Sequence, residues 1–252
     1  MRWPLVWSAK VYPASAEAFP DKKKVSMKRL IIYGTSPAAI QSHYDFTADS
    51  DYEVVAFTAE RKALSGETLL GLPVVAFEDI EQIYPPAEYN MFIAVYFNRV
   101  NAVRRQKYEE AKRKGYTLAN YISSKAIVWP ELILGENCMI CDGANVRPFT
   151  RIGNDTFIMP GAVVGHDVAV GDHCYLAIHA VLLAGSAVES GCVIGANSTI
   201  LNGVKVAVDC VVSAGAVISK NTKEKGVYTV AEPILQPLGS DKLANVLFRN
   251  QV

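Results

Sequence analysis

From Ile122 to Ile218 an aliphatic residue recurs at every sixth position: Ile122, Val128, Leu134, Ile140, Val146, Ile152, Ile158, Val164, Val170, Leu176, Leu182, Val188, Ile194, Ile200, Val206, Val212 and Ile218. All 17 are Ile, Leu or Val, and the phase never breaks. A period of six fits neither an amphipathic helix nor an ordinary alternating strand, so the repeat governs the fold before local propensity does. The other phases agree. Four residues after each aliphatic the side chain is small in 16 of 17 hexads, Leu132 being the exception. Three residues after it, 14 of 17 are Gly, Asn, Asp or His, with Lys125, Glu131 and Phe149 as exceptions. Those four types best tolerate a left-handed backbone. Each hexad therefore reads as a short strand and a sharp corner, and three hexads close one triangular coil of 18 residues. Coils stack about 4.8 Å apart by parallel pairing, which predicts a left-handed parallel β-helix of nearly six coils, roughly 27 Å long. Its aliphatics line the inside. One coil cannot bury them alone, so stacking is obligatory.

The residues before the repeat read differently. Leu30–Tyr33, Glu53–Phe57, Leu72–Val75, Phe92–Tyr96 and Thr117–Ile122 are short apolar or extended runs. Asn101–Lys114 is charged and amphipathic, a helix closed by Gly115. Ser36 suits an N-cap and Pro37 the first helical position. Strands separated by helices predict a small parallel α/β sheet, Rossmann-like, over 27–121. The β-helix domain is expected over 122–230. Residues 1–26, ending in Lys22-Lys23-Lys24, read as an extension ahead of the MKRLIIYG run that opens at Met27. Residues 231–252 read as a cap, with Pro233 and Pro237 ending the coils and a short helix over Ser240–Phe248.

Composition narrows the function. Lys+Arg and Asp+Glu are both 25 in 252 residues, so the net charge is zero, which argues against a general nucleic-acid binder. No apolar run approaches the roughly 18 residues that a membrane span needs. Five cysteines in a chain whose start does not read as a secretory signal suggest reduced thiols and a cytoplasmic location. Cys138, Cys174, Cys192 and Cys210 share the small inner phase at multiples of 18 residues, with Thr156 on the missing rung, so they read as a packing ladder. Cys138 and Cys141 form a CxxC whose members sit in different phases, which disfavours zinc.

The repeat phase also sorts the histidines. His173 and His179 occupy the corner slot, where a structural role suffices, and His43 falls in the first helix. His166 precedes a corner and should project outward, with Asp167 next to it in the corner slot. An imidazole beside a carboxylate is a candidate general base, since the acid fixes the tautomer. Three histidines converging on zinc would make a hydratase of the γ-carbonic anhydrase type, but His166, His173 and His179 fall on successive faces of a coil. A non-catalytic trimeric scaffold is the other alternative.

The stretch Val164–Gly185, VGHDVAVGDHCYLAIHAVLLAG, resembles the active-site segment of hexapeptide-repeat acyltransferases. In layout it is most similar to the NeuD-like sugar O-/N-acyltransferase family, with the same two domains in the same order from residue 27 to about 230. The His–acid pair also resembles that of the acyltransferases of lipid A synthesis. The resemblance implies a homotrimer in which acetyl-CoA or another acyl-CoA lies between neighbouring prisms as co-substrate, with no permanently bound cofactor and no metal. It implies His166 as general base for a sugar hydroxyl or amine of glycan biosynthesis, and Asp167 as its support. By similarity, Tyr175, His179, Ala184, Gly185, Ala196 and Ala214 face the CoA. Gly34, Thr35 and Ser36 match the family's turn for a sugar nucleotide, though with one glycine. Thr58-Ala59 replace the acidic pair often found after the second strand, so the acceptor sugar, and whether oxygen or nitrogen is acylated, stay open.

Overall fold

The computed structural model describes residues 27–64 and 66–232; the expectations for 1–26 and for Pro233, Pro237 and Ser240–Phe248 lie outside the described residues. The chain opens with β1 (Lys28–Tyr33), α1 (Pro37–Asp49), β2 (Tyr52–Ala59), β3 (Thr68–Leu69), β4 (Leu72–Ala76), α2 (Ile80–Ile83), β5 (Asn90–Ile93) and α3 (Ala102–Arg113). The sheet order is β3-β4-β2-β1-β5. It is parallel except for the β3–β4 pair, which is antiparallel. Leu30, Ile31 and Ile32 are fully buried because β1 is the inner strand with packing on both faces. Ser36 is the N-cap of α1 with Pro37 following, as expected, although the Ser36 side chain makes no capping bond.

Two expected strands are shorter. Phe92–Tyr96 stays in the sheet only to Ile93, because the carbonyls of Val95 and Tyr96 turn to accept from Arg104 Nη1 at 3.2 and 3.0 Å. Thr117–Ile122 reduces to one bridge between Leu118 and Met91, and then to Tyr121–Ile122, which already belongs to the repeat.

Every one of the 17 aliphatic positions becomes the second residue of a two-residue strand, from β6 (Tyr121–Ile122) through β22 (Val217–Ile218). These strands form three parallel sheets in which each strand pairs with the one three places on. This is the left-handed parallel β-helix that the period predicts. Its interior is aliphatic: Ile140, Val146, Ile158, Val164, Leu176, Leu182, Ile194, Ile200 and Val206 are fully buried. The corner slot is left-handed without a gap from Asn137 to Gly215, and the bulky Phe149 obeys it with φ of 63°. Past Ile218 the phase slips: β23 (Val227–Tyr228) comes four residues late, yet Tyr228 still pairs with Val212 and extends the first wall.

That first wall carries an outward column of Tyr121, Met139, Phe157 and Tyr175, and the α/β sheet packs on it through Phe92, Phe46 and Ala94. The Phe92 and Phe157 rings stack at 5.6 Å. The cysteine ladder is as expected: Cys138, Cys174, Cys192 and Cys210 are buried and unpaired, with Thr156 between the first two. Each thiol donates to a carbonyl across the coil, as Cys138 does to Gly153 at 3.1 Å.

Candidate active site

The corner slots stack into three edges of the prism. The first carries Asn137, Asp155, His173, Gly191 and Asp209; the second Gly143, Gly161, His179, Asn197 and Gly215; the third Phe149, Asp167, Gly185 and Gly203. His166 sits one residue before the third edge. Its Nδ1 lies 2.7 Å from Asp167 Oδ2, with the two side chains 63% and 60% exposed. A carboxylate can only accept, so Nδ1 carries the proton and Nε2 presents its lone pair outward. The corner supplies the geometry: Asp167, at φ of 57°, turns its carboxylate back alongside the preceding ring. Asp is among the few non-glycine residues that adopt this backbone readily.

The expected CoA-facing residues divide between two edges. Ala184 stacks one coil beyond His166, and Gly185 beyond Asp167; Gly185 N–H donates to His166 O at 3.0 Å. Ala196, Ala214 and His179 lie on the second edge instead, so within one chain they do not meet His166. His179 lies flat along that edge over Gly161, where an added Cβ would fall 2.4 Å from its ring. Gly161 therefore serves both the positive φ and the imidazole above it.

The backbone N–H groups of Ala184, Ala196 and Ala214 make no hydrogen bond among the described residues. The equivalent groups on the first edge are capped by the next coil: Glu136 N–H by Asn154 Oδ1, Asn154 N–H by Asp172 Oδ1 and Asp172 N–H by Ser190 Oγ. The second and third edges are thus open to a ligand and the first is closed.

Tyr175 lies apart from this arrangement. It is on the wall under the α/β sheet, packed against Phe97 and Tyr96 with ring centroids 5.0 and 5.8 Å away. Burial pushes its phenol up to about 12. The spacing from His166 places it two walls away, which its distance in sequence did not convey.

Gly34, Thr35 and Ser36 follow β1 and open α1. Gly34 has φ of 123°, and a Cβ there would press on Ala94 O at 3.2 Å. The turn is near an ion cluster rather than a glycine-rich cradle. Lys107, almost fully buried, joins Glu60 at 2.7 Å and Glu110 at 2.6 Å. Hydrogen bonds from Lys107 and then Lys62 hold the Glu60 carboxyl down to about 2.

The third His–acid pair is one that the sequence did not single out. His173 Nδ1 lies 2.8 Å from Asp155 Oδ2, with side chains 8% and 0% exposed. Asp155 also accepts from Asn137 Nδ2 at 2.7 Å and Arg104 Nε at 3.1 Å. Arg104, on α3, is fully buried; it donates further to the carbonyls of Asp155, Cys174, Val95 and Tyr96 and sits 4.3 Å over the Phe157 ring. This network ties the α/β sheet to the β-helix. The signal was in the sequence: Asn137, Asp155 and His173 are 18 residues apart on one edge.

His166, His173 and His179 occupy three different edges. Among the described residues no group of three His, Cys, Asp or Glu side chains is arranged to hold a metal ion. No helix among them is long and apolar enough to cross a membrane.

The bacterial transferase hexapeptide (six repeats) model matches residues 149–184, and the hexapeptide repeat of succinyl-transferase matches 187–220. The chain belongs to the hexapeptide-repeat transferase family. More narrowly, its fold is similar to that of sugar N-acetyltransferases of known structure. The acetyltransferase domain of PglB from Neisseria gonorrhoeae FA1090 matches with a TM-score of 0.72 at 21% identity, over 79% of this chain and 95% of that one. The same domain in complex with acetyl coenzyme A gives 0.71 at 20%, over 80% and 95%. PerB from Caulobacter crescentus, in complex with CoA and GDP-perosamine, gives 0.66 at 25%, over 80% and 91%. No curated protein matches the chain.

Proposed function

We propose that this chain is an acyl-CoA-dependent acyltransferase that moves an acetyl group from acetyl-CoA to a hydroxyl or amine of a sugar or nucleotide sugar. The observation that carries the reading is the exposed His166–Asp167 pair on an open edge, inside the segment matched by the transferase model. The GDP-perosamine and CoA held by the Caulobacter protein favour a nucleotide-linked amino sugar as acceptor.

Transfer is direct. The acceptor nitrogen or oxygen attacks the thioester carbonyl while Nε2 of His166 takes its proton, and Asp167 stabilises the imidazolium through Nδ1–H. The tetrahedral intermediate expels the CoA thiolate, which recovers the proton from Nε2. The unpaired N–H of Ala184, one coil away, is the nearest candidate donor for the oxyanion. Ala196 and Ala214 offer matching donors to the amide groups of CoA, but on the second edge. They complete the groove only when the second edge of one prism lies against the third edge of another, so the active form is a homotrimer. The turn Gly34-Thr35-Ser36 at the start of α1 is the candidate seat for the acceptor's phosphates.

The test is CoA-thiol release from acetyl-CoA with a panel of nucleotide amino sugars, GDP-perosamine included, alongside free sugars. Acceptor-dependent release that His166→Ala abolishes supports the reading. Turnover that survives in that variant removes His166 as base, and a stable monomer at micromolar concentration contradicts the shared groove.

A further inference from the structure

A second ligand site lies on the closed edge. Between the loop before α3 and the first edge of the prism is a cleft of about 370 Å³ lined by Arg99, Val100, Asn101, Ala102, Arg105, His173, Gly191, Asp209 and Lys225. Three of these are cations, and neither Arg99 nor Arg105 makes an ion pair among the described residues. Lys225 is only loosely tied, 3.7 Å from Glu224. The start of α3, a helix of 12 residues, also borders the cleft, and no side chain caps it.

The floor is His173. Its side chain is more than nine-tenths buried and Nδ1 is committed to Asp155, yet Nε2 has no protein partner. Asp155 is anchored by Arg104 and Asn137, so the ring is held edge-on at the base of the cleft. Gly191 leaves a missing rung in the ladder between His173 and Asp209, which makes the space. Nothing in the proposed transfer uses these groups, which lie on a different edge from His166.

We propose that this cleft binds the phosphoryl group of a small phosphorylated molecule, with Arg99, Arg105 and Lys225 as its charge partners and His173 Nε2 hydrogen-bonded to a phosphoryl oxygen. A protonated oxygen of the monoanion can donate to the Nε2 lone pair, which suits the tautomer that Asp155 imposes. The volume exceeds what inorganic phosphate fills, so part of an organic group enters too. Asp209 is the one carboxylate on the wall and opposes the anion. The ligand joins the α/β side to the β-helix, because Arg99 and Arg105 belong to one and His173 and Lys225 to the other.

The test is calorimetric titration of the full chain with inorganic phosphate and, separately, ribose 5-phosphate, at constant ionic strength. Both bind, and ribose 5-phosphate binds more tightly if the organic part is seated. The Arg99→Ala/Arg105→Ala pair, both exposed and so harmless to folding, weakens binding by at least about tenfold. His173→Asn keeps the left-handed corner and a donor to Asp155 but lacks Nε2, and also weakens binding; Asp209→Asn tightens it. Unchanged affinity in the arginine variant overturns the site, as does equal binding of chloride. Saturating CoA leaves phosphate affinity unchanged; competition would mean that the phosphate was entering the CoA groove instead. His166→Ala also leaves it unchanged, so loss of acyl transfer and loss of this site are read separately.

Discussion

The molecule holds two His–Asp pairs with nearly the same contact, 2.7 Å for His166–Asp167 and 2.8 Å for His173–Asp155, on two edges of one prism. Their surroundings are opposite. The first is about three-fifths exposed with a free imidazole nitrogen facing solvent, and the second is buried under a sheet and locked by Arg104. The same chemistry therefore serves proton transfer in one place and assembly in the other. What separates them is whether the neighbouring coil and the α/β sheet cover the edge. The backbone tells the same story: on the covered edge the N–H groups of Glu136, Asn154 and Asp172 are capped by side chains, whereas on the open edges those of Ala184, Ala196 and Ala214 are left for a ligand.

The largest expected effect breaks the buried pair. Asp155→Ala removes the carboxylate that neutralises a fully buried Arg104 and orphans donors from Asn137 and His173. Removing one partner of a buried ion pair costs about 3–5 kcal/mol. Urea denaturation should show that loss, or an insoluble protein. Arg104→Met, which removes the charge itself, should be the milder change; if the two variants are equally stable, the uncompensated-charge account is wrong.

The matching change at the open pair moves activity instead. His166→Ala should lower the rate of acetyl transfer by about 10²–10⁴, the range for a lost general base, while the melting temperature moves little because an exposed side chain is removed. Asp167→Asn is gentler. Asn accepts the same left-handed corner and still holds the ring, but it no longer compensates the imidazolium. A fall of about tenfold in kcat with KM unchanged is expected for such a supporting hydrogen bond. An unaltered kcat would make Asp167 a corner residue only.

Much of this comparison was readable in the sequence, and the missing part has a physical reason. The period of six places each of the 17 strands and separates inward aliphatics from outward His166. It even overrides side-chain preference at Phe149, which takes a left-handed corner because stacked coils above and below fix the backbone there. A period cannot show what covers a wall. Arg104 reads in sequence as one more charge on a charged helix, since nothing local marks it as the residue that docks on Asp155. Tyr175 reads as a groove residue for the same reason, and the α/β sheet buries it. His173 was legible as a corner residue, but its partnership required seeing Asn137 and Asp155 as rungs of one ladder. The slip before β23 was hidden because a chain that leaves the hexad phase can still rejoin the wall.

A third acid–base contact lies between these extremes, and it sharpens the comparison with the smallest effect. Glu60 meets the nearly buried Lys107 at the C-terminal end of β2, and the carboxyl is held at about 2 by hydrogen bonds from Lys107 and Lys62. An unfolded Glu titrates near 4.3. The folded form therefore binds the proton less readily, so this contact adds stability above about pH 5 and loses it as pH falls from about 4 towards 2. Glu60→Gln should melt about 1–3 °C lower at pH 7, the scale of a partly exposed pair in a chain of this size. The gap between wild type and variant should close as pH approaches 2.5. Asp155 behaves differently in the same scan: cutting it destabilises the fold at every pH, because Arg104 stays charged throughout. A Glu60→Gln gap that persists at pH 2.5 would show that packing of the side chain, and not its charge, is what Lys107 requires.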